Sequence, residues 1–519
     1  MNDLRVALVL ASLLCSTLAL AAPARDGFVP DLSALAATPR FAGTDAAALD
    51  AAQHTVANTA SRHQPLQFAV GAEMPLELAD GRWTAAADNT AIWRMRLASS
   101  GAKLIAVGFA RLQLPASAHL YLYDSAGNTV QGPYSASDVT ADGSLVTAVV
   151  PGAEAVLEVR VAAAERSQVQ LKLARIYHGF RVLSGSSADS VAETSPLTGD
   201  SAASCETNVV CPAGDTWRDP IRSEALIQIG NGPGLFLCSG QLVNNVRSDN
   251  APYFLTAHHC NIGGSLTTPA SSVVLYWNYQ ASSCAGTSGS LNQTQSGSTL
   301  LATDAGSDFT LIQLNQTPPS SFQVYYAGWD ASTSDIPTSG VAIHQPEADI
   351  KKISSFIVPA SRQAIPLDTG SLVNQTVQAW QVSWNSGITE EGSSGSGLWN
   401  QDRRIVGVLS GGNTACASGT ASSGQDYFGR LDVAWTASSN SSGQLKAWLD
   451  PDNSGALCIN GRNPGDGAAA TGCGASSSSS GGSSSSGGGG GSSPSLGLLL
   501  APLIWLRRRR SARRSSSAA

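Results

Sequence analysis

The chain is 519 residues long, too long for a single compact domain. Only 13% of its residues are charged, against about 25% in ordinary globular proteins. A net charge of −7 argues against nucleic acid as a partner, since no basic face is available to neutralise phosphates; the acidity serves solubility.

Residues 1–22 read as a secretory signal: Arg5 gives a positive start, Val6–Leu20 is apolar, and Ala19-Leu20-Ala21 supplies a small-x-small cleavage pattern. Cys15 falls inside that run, and bulky Leu14 before it argues against a lipoprotein box. Cys205, Cys211, Cys238, Cys260, Cys284, Cys416, Cys458 and Cys473 remain. An even number of cysteines in an exported chain reads as disulfides. Zinc is excluded as their purpose because no Cys-x2-Cys pair occurs.

Residues 23–61 are alanine-rich and show no core pattern. Alternation then appears in Trp93-Arg94-Met95-Arg96-Leu97, His119-Leu120-Tyr121-Leu122-Tyr123 and Leu157-Glu158-Val159-Arg160-Val161. Short strands separated by Gly/Asn turns predict a β-sandwich-like part over 62–177. It contains no His/Asp/Ser or cysteine cluster, so a binding module is one reading of it. Residues 183–204 are polar and aperiodic, and are expected to be a linker.

A second unit begins at Cys205. Its strands include Ala225-Leu226-Ile227-Gln228-Ile229, Leu235-Phe236-Leu237-Cys238 and Val273-Val274-Leu275-Tyr276-Trp277. Leu445, Trp448 and Leu449 form a helical stripe stopped by Pro451. Strands followed by one C-terminal helix predict an all-β, two-barrel chymotrypsin-like domain over 201–460. Residues 461–493 form a Ser/Gly-rich linker, with Ser476–Ser493 entirely Ser, Gly and Pro-flanked. Leu496–Leu506 is apolar and is followed by Arg507–Arg510 and Arg513-Arg514; it falls short of the roughly twenty residues that span a bilayer.

The chemistry centres on Gly392-Ser393-Ser394-Gly395-Ser396-Gly397. A Gly-x-Ser-Gly turn between strands lets the N–H groups of Gly392 and Ser394 converge as an oxyanion hole requires. A serine hydroxyl needs a base. Among the histidines of this half, His259 ends the apolar strand Tyr253–Ala257 and is followed by Cys260, and Asp308 opens the strand Phe309-Thr310-Leu311-Ile312. The resulting His…Asp…Ser order is that of chymotrypsin, not of subtilisin or the α/β-hydrolases. Neighbouring His258 points to the opposite strand face and reads as structural, and His344 reads as a strand-to-turn residue without catalytic duty.

These motifs resemble the bacterial lysyl endopeptidase group of trypsin-like serine proteases over roughly 201–460. Thr256–Cys260 is similar to the family's Thr-Ala-x-His-Cys, Asp308 to the acid of its Asp-Phe-Thr-Leu, and Ser394 to the nucleophile of its Gly-Ser-Ser-Gly-Ser-Pro, with Gly397 in place of Pro. The resemblance implies His259, Asp308 and Ser394 as the triad of a secreted endopeptidase. It makes 23–200 a pro-region that serves as folding chaperone or inhibitor. It implies the pairs Cys205–Cys416, Cys211–Cys284 and Cys238–Cys260, which leave Cys458 with Cys473. The specificity acid of the group lies in an Asp-x-Tyr-Gly-Arg-like segment, which Asp426-Tyr427-Phe428-Gly429-Arg430 matches with Phe for Tyr. Asp426 is therefore the expected floor of the S1 pocket, with Lys or Arg as substrate residue and Lys favoured. An ion pair between Asp426 and Arg430 is the structural alternative. Ser410 stands where lysyl-specific members carry His. Position 393 is Ser where trypsin-like zymogens carry Asp, so activation by insertion of a new N-terminus is not expected. No Lys or Arg lies between Arg181 and Cys205, so self-cleavage would fall after Arg181 or another protease would cut the linker. The tail 494–519 resembles a GlyGly-type sorting signal of Gram-negative bacteria, removed by a rhomboid-like protease, which implies a secreted or cell-surface location; a tail anchor is the alternative. Nothing calls for a cofactor or a metal. A glutamyl preference, or an inactive adhesive protein on the same fold, are the competing functions.

Overall fold

The computed structural model describes residues 26–43, 65–183, 202–230, 232–263, 269–367, 375–417, 422–469 and 471. The expected signal segment 1–22, Cys473, the Ser/Gly stretch 476–493 and the tail 494–519 lie outside the described residues.

The alternating segments of the N-terminal part form two facing sheets. Thr90–Ser99 sits between Glu154–Ala162 on one side and Arg40–Gly43, running parallel to it, on the other. His119–Asp124 and Val130–Tyr134 continue that sheet. The opposing layer contains Leu66–Glu77, Gln170–Gly179 and Leu104–Gln113. Trp93, Met95, Leu97, Leu157 and Val159 from the first sheet pack against Ile105, Val107, Leu173 and Ile176 from the second. Complete burial of each such side chain contributes about 1.5–3 kcal/mol. Arg94 and Glu158 face outward from this core yet are buried, and the Arg94 Nε to Glu158 Oε2 distance is 2.7 Å. The stretch 23–61, patternless in sequence, supplies the strand Arg40–Gly43. Two of its four side chains are exposed and only Gly43 is buried, so little apolar alternation is needed there.

The C-terminal part carries two barrel-like sheets. In the first, Glu224–Gly230 pairs with Gly234–Val243 and Val274–Trp277, Tyr253–Ala257 joins Gly234–Val243 to Phe309–Leu314, and Ser298–Asp304 pairs with Phe309–Leu314. Thr294–Ser296 and Ser298–Asp304 are one chain bent at Gly297, whose φ of 84° turns the sheet back on itself. The second barrel runs in the order Lys352–Phe356, Gly340–His344, Gly397–Asn400, Arg404–Gly412, Asp426–Arg430, Gln375–Val382, Ser361–Leu367. The fold is all-β and two-barrelled, chymotrypsin-like, behind a β-sandwich-like N-terminal part. The C-terminal helix is a single turn, Lys446–Leu449, in which Leu449 is buried beside Leu445.

Sandwich and first barrel share one sheet. Leu66–Glu77 pairs antiparallel with Gly234–Val243, placing Val70 opposite Gly234, Ala69 opposite Leu235 and Leu66 opposite Leu237. Leu66, Phe68 and Ala69 share a core with Leu235, Leu237, Tyr276 and Ile350.

Candidate active site

The register of two strands brings the base and its acid together. Ala257 lies opposite Phe309, so the residues just beyond, His259 and Asp308, meet at the same barrel mouth. His259 sits in the 3-10 turn His258–Cys260, which closes on Asn261 in the left-handed region. Its Nδ1 lies 2.9 Å from Asp308 Oδ2, and its backbone N–H donates to Asp308 Oδ1 at 3.0 Å. The N–H of His258 donates to the Asp308 carbonyl at 3.0 Å. Asp308 holds φ at 51° and is fully buried. Three contacts thus fix a conformation that non-glycine residues seldom adopt. Glycine at 429 permits this packing, because a Cβ there would approach the Ser307 carbonyl oxygen to 2.1 Å.

Ser394 comes from the second barrel, just before the strand Gly397–Asn400. Its carbonyl accepts the N–H of Ser239 at 2.7 Å, and Ser239 Oγ donates to the Gly392 carbonyl at 2.9 Å. The nucleophile loop is therefore pinned to the strand that leads to Cys238. Gly395 has φ 83°, and a Cβ there would lie 2.2 Å from Thr256 Oγ1; only glycine fits. Among the described residues the N–H groups of Gly392 and Ser394 make no hydrogen bond, and Gly392 has φ 89°. The Nε2 atom of His259 is likewise buried and unpartnered. Unpaired buried polar atoms are rare and point to function. Two free backbone donors thus flank Ser394, while no hydrogen bond joins His259 Nε2 to the Ser394 hydroxyl among the described residues.

Ser394 opens onto a cavity of about 300 Å³ lined also by Ile388, Thr389, Gly411, Gly412, Thr414 and Cys416. Beneath that lining lies Asp426, which accepts hydrogen bonds from Trp384 Nε1 at 2.6 Å, Thr389 Oγ1 at 2.7 Å and Thr414 Oγ1 at 2.9 Å. A Cβ on Gly412 would come within 1.9 Å of Asp426 Oδ1, so the cavity wall touches the carboxylate. Burial pushes the Asp426 carboxyl up to about 6, against the lowering effect of those hydrogen bonds. The alternative ion pair is absent: Arg430 pairs with Asp432. Ser410 is fully buried and its Oγ has no partner.

Three disulfides join cysteines that both lie among the described residues, Cys205–Cys416, Cys211–Cys284 and Cys238–Cys260. The first ties the chain entering the C-terminal part to the cavity wall, and the third anchors the turn that bears His259. Cys458 is disulfide-bonded. His258 Nδ1 meets Thr303 Oγ1 at 2.6 Å, away from Ser394. The reading of His344 as a strand-to-turn residue left out its partner: its Nδ1 lies 2.8 Å from Ser393 Oγ, beside the nucleophile. Its position at the end of the apolar run Gly340–Ile343 was the available signal. Glu347, missed in the sequence, also borders the cavity and pairs with Arg181 of the N-terminal part at 3.0 Å. Burial pushes the Glu347 carboxyl up to about 7, opposed by Arg181.

The family model described as the lysyl endopeptidase C-terminal domain matches residues 198–429, and that of the lysyl endopeptidase N-terminal domain matches residues 38–180. A lysyl endopeptidase of Pseudomonas aeruginosa is 28% identical over 473 residues, spanning 82% of this chain and 95% of that protein. Among solved structures, a protease of M. tuberculosis in its active form is 15% identical, with TM-score 0.30, over 49% of this chain and 95% of that one. A thermostable serine protease from an extremophilic microorganism is 13% identical, with TM-score 0.30, over 41% and 92% of the two chains. With both domain matches in sequence order on a two-barrel fold, this chain is a serine endopeptidase, lysyl endopeptidase-like in its N-terminal and C-terminal parts alike.

Proposed function

We propose that the protein cleaves peptide bonds after lysine, and less readily after arginine, through His259, Asp308 and Ser394. His259 takes the proton of Ser394 through its free Nε2 as the hydroxyl attacks the scissile carbonyl, and returns it to the leaving amine. Asp308 holds the ring tautomer from the Nδ1 side and stabilises the imidazolium. The N–H groups of Gly392 and Ser394 receive the oxyanion. Water then releases the acyl group from Ser394 by the same route.

The observation that carries the specificity is the buried Asp426 under the cavity that Ser394 borders. A carboxylate there disfavours neutral side chains, because its charge stays buried without a counter-ion. Both of its oxygens already accept hydrogen bonds from Trp384, Thr389 and Thr414. Trp384 and Thr389 both occupy Oδ2, which leaves acceptor capacity chiefly on Oδ1; a two-pronged grip by a guanidinium needs both oxygens, whereas an ammonium is a point charge that does not. This supports lysine over arginine, and a glutamate side chain would be repelled. A peptide-library digest tests the reading: cleavage should follow Lys, then Arg. Cleavage after Glu, or an unchanged basic preference in Asp426→Asn, would overturn it.

The same reading makes the protein an exported precursor whose N-terminal part covers the site until it is removed. Leu66 Cδ2 lies 3.6 Å from where a Cβ of Gly392 would stand, and Arg181 sits on Glu347 at the cavity edge. A new N-terminus at Val182 in wild type but not in Ser394→Ala would mark self-cleavage. The tail 494–519 is then a sorting signal, and the mature protein at the cell surface or in the medium should lack residues 507–514.

A further inference from the structure

We infer that His344 is the positioning residue of the oxyanion loop, clamping both ends of the segment Ile388–Ser393 through one directed chain of hydrogen bonds. The inference rests on the proposed role of Ser394 and goes beyond it. His344 is wholly buried at the end of the strand Gly340–His344. Its Nε2 lies 3.1 Å from Ser354 Oγ, and its Nδ1 lies 2.8 Å from Ser393 Oγ.

The network assigns the tautomer. Ser354 has one hydroxyl proton, and the Ile388 carbonyl, an acceptor only, lies 2.6 Å away. Ser354 Oγ therefore accepts from His344, so Nε2 carries the ring proton. Nδ1 is then bare and accepts the hydroxyl proton of Ser393. The remaining capacity of Ser393 Oγ takes the N–H of Glu390 at 3.3 Å. Burial lowers the imidazole pKa to about 3, so the ring stays neutral and the direction of the chain does not reverse in ordinary buffers.

Between the two clamped ends lie Thr389, which reaches Asp426, and Gly392, whose N–H receives the oxyanion in the proposed mechanism. Glu206 Oε2, next to the Cys205–Cys416 disulfide, lies 3.4 Å from Ser354 Oγ and 3.8 Å from His344 Nε2; it borders the chain without receiving the Ser354 proton, which the nearer Ile388 carbonyl takes. A loop held this way needs no newly freed N-terminus to set it. Serine at 393 and an imidazole stand where a carboxylate and an ammonium would otherwise be required.

The test compares purified wild type, His344→Ala, Ser393→Ala and the double variant on a lysyl peptide amide. His344→Ala and Ser393→Ala should each lower kcat about tenfold to a hundredfold, the scale of a misdirected oxyanion donor. KM should stay within about twofold, because Thr389 at the cavity remains tied to Asp426 and Thr414 without help from His344. The double variant should be no slower than the worse single one. Affinity for a lysyl peptide aldehyde, which forms a tetrahedral adduct, should fall with kcat, while that for n-butylamine should not. His344→Asn, which keeps an acceptor near Nδ1, should restore part of kcat. An unchanged kcat, multiplying effects in the double variant, or a rise in KM alone would each overturn the inference. If His344→Ala does not fold, Ser393→Ala, which removes one oxygen, carries the test by the same criteria. A wild type that cleaves after neither Lys nor Arg refutes the proposed function instead.

Discussion

Two buried aspartates, one in each barrel, serve opposite ends. The Asp308 carboxylate accepts the backbone N–H of His259 and faces its Nδ1, so the group that becomes cationic in the proposed proton transfer belongs to the chain itself. Asp426 is held by hydroxyls and an indole, all neutral donors. They orient the carboxylate without cancelling its charge. In the proposed mechanism the first acid meets its cation in an imidazole of the protein, and the second is left for the substrate to satisfy. Burial alone does not determine what a carboxylate does; whether a neighbour in the chain can become a cation does.

The comparison is broken most severely at Asp308. Asp308→Asn should lower kcat by about 10⁴, because the amide selects the wrong tautomer of His259. The preference for lysine should survive in the residual activity. Steady-state kinetics with Lys and neutral peptides checks both halves of the statement.

Asp426→Asn should do the reverse. The amide can keep the contacts with the threonines, so turnover of peptides with neutral side chains should persist. The ratio of kcat/KM for Lys over a neutral residue should fall about a hundredfold, the scale of a desolvated charge losing its partner. If kcat for both classes falls equally, Asp426 belongs with the catalytic group instead.

Acidity sharpens the same distinction. Burial raises the Asp426 carboxyl to about 6, so the charged form prevails above that value and is lost as pH falls through it. Selectivity for lysine should therefore be full near neutrality and decline below about pH 6. A raised pKa also means that the free enzyme gains stability on protonation, so lower pH weakens selectivity without weakening this part of the fold. Selectivity that is flat from pH 7 to 5 would contradict the placement of the charge.

The smallest expected effect lies outside both acids. The Arg181–Glu347 pair is partly exposed, and such pairs are worth about 1 kcal/mol or less. Arg181→Ala should make the N-terminal part leave the cleft only a few times more readily. Activity of the full chain against a small lysyl substrate, followed over time and salt, reads this out.

Much of the candidate site was legible because each proposed catalytic piece lies in a short contiguous motif. His259 follows an apolar strand and precedes a cysteine, Asp308 opens a strand, and Ser394 lies between glycines. Pairing of Tyr253–Ala257 with Phe309–Leu314 does the remainder. Asp426 was legible as a candidate through its flanking residues. Its burial was not, because the donors that surround it come from two separate stretches, Trp384 and Thr389 on one and Thr414 on the other.

The role of His344 was not legible for the same reason. Its partners Ser354 and Ser393 are common residues whose significance arises only when a strand pair meets the turn before Gly397. The sheet joining Leu66–Glu77 to Gly234–Val243 was hidden more deeply, since backbone hydrogen bonds along a strand edge leave no mark on side-chain order. By itself the sequence determined strand periodicity, turn glycines and the order of the candidate catalytic residues, all of them properties legible along the chain. Only the tertiary structure decided which charges are answered, which edges are covered and which N–H groups stay free, because each depends on residues that meet across long separations.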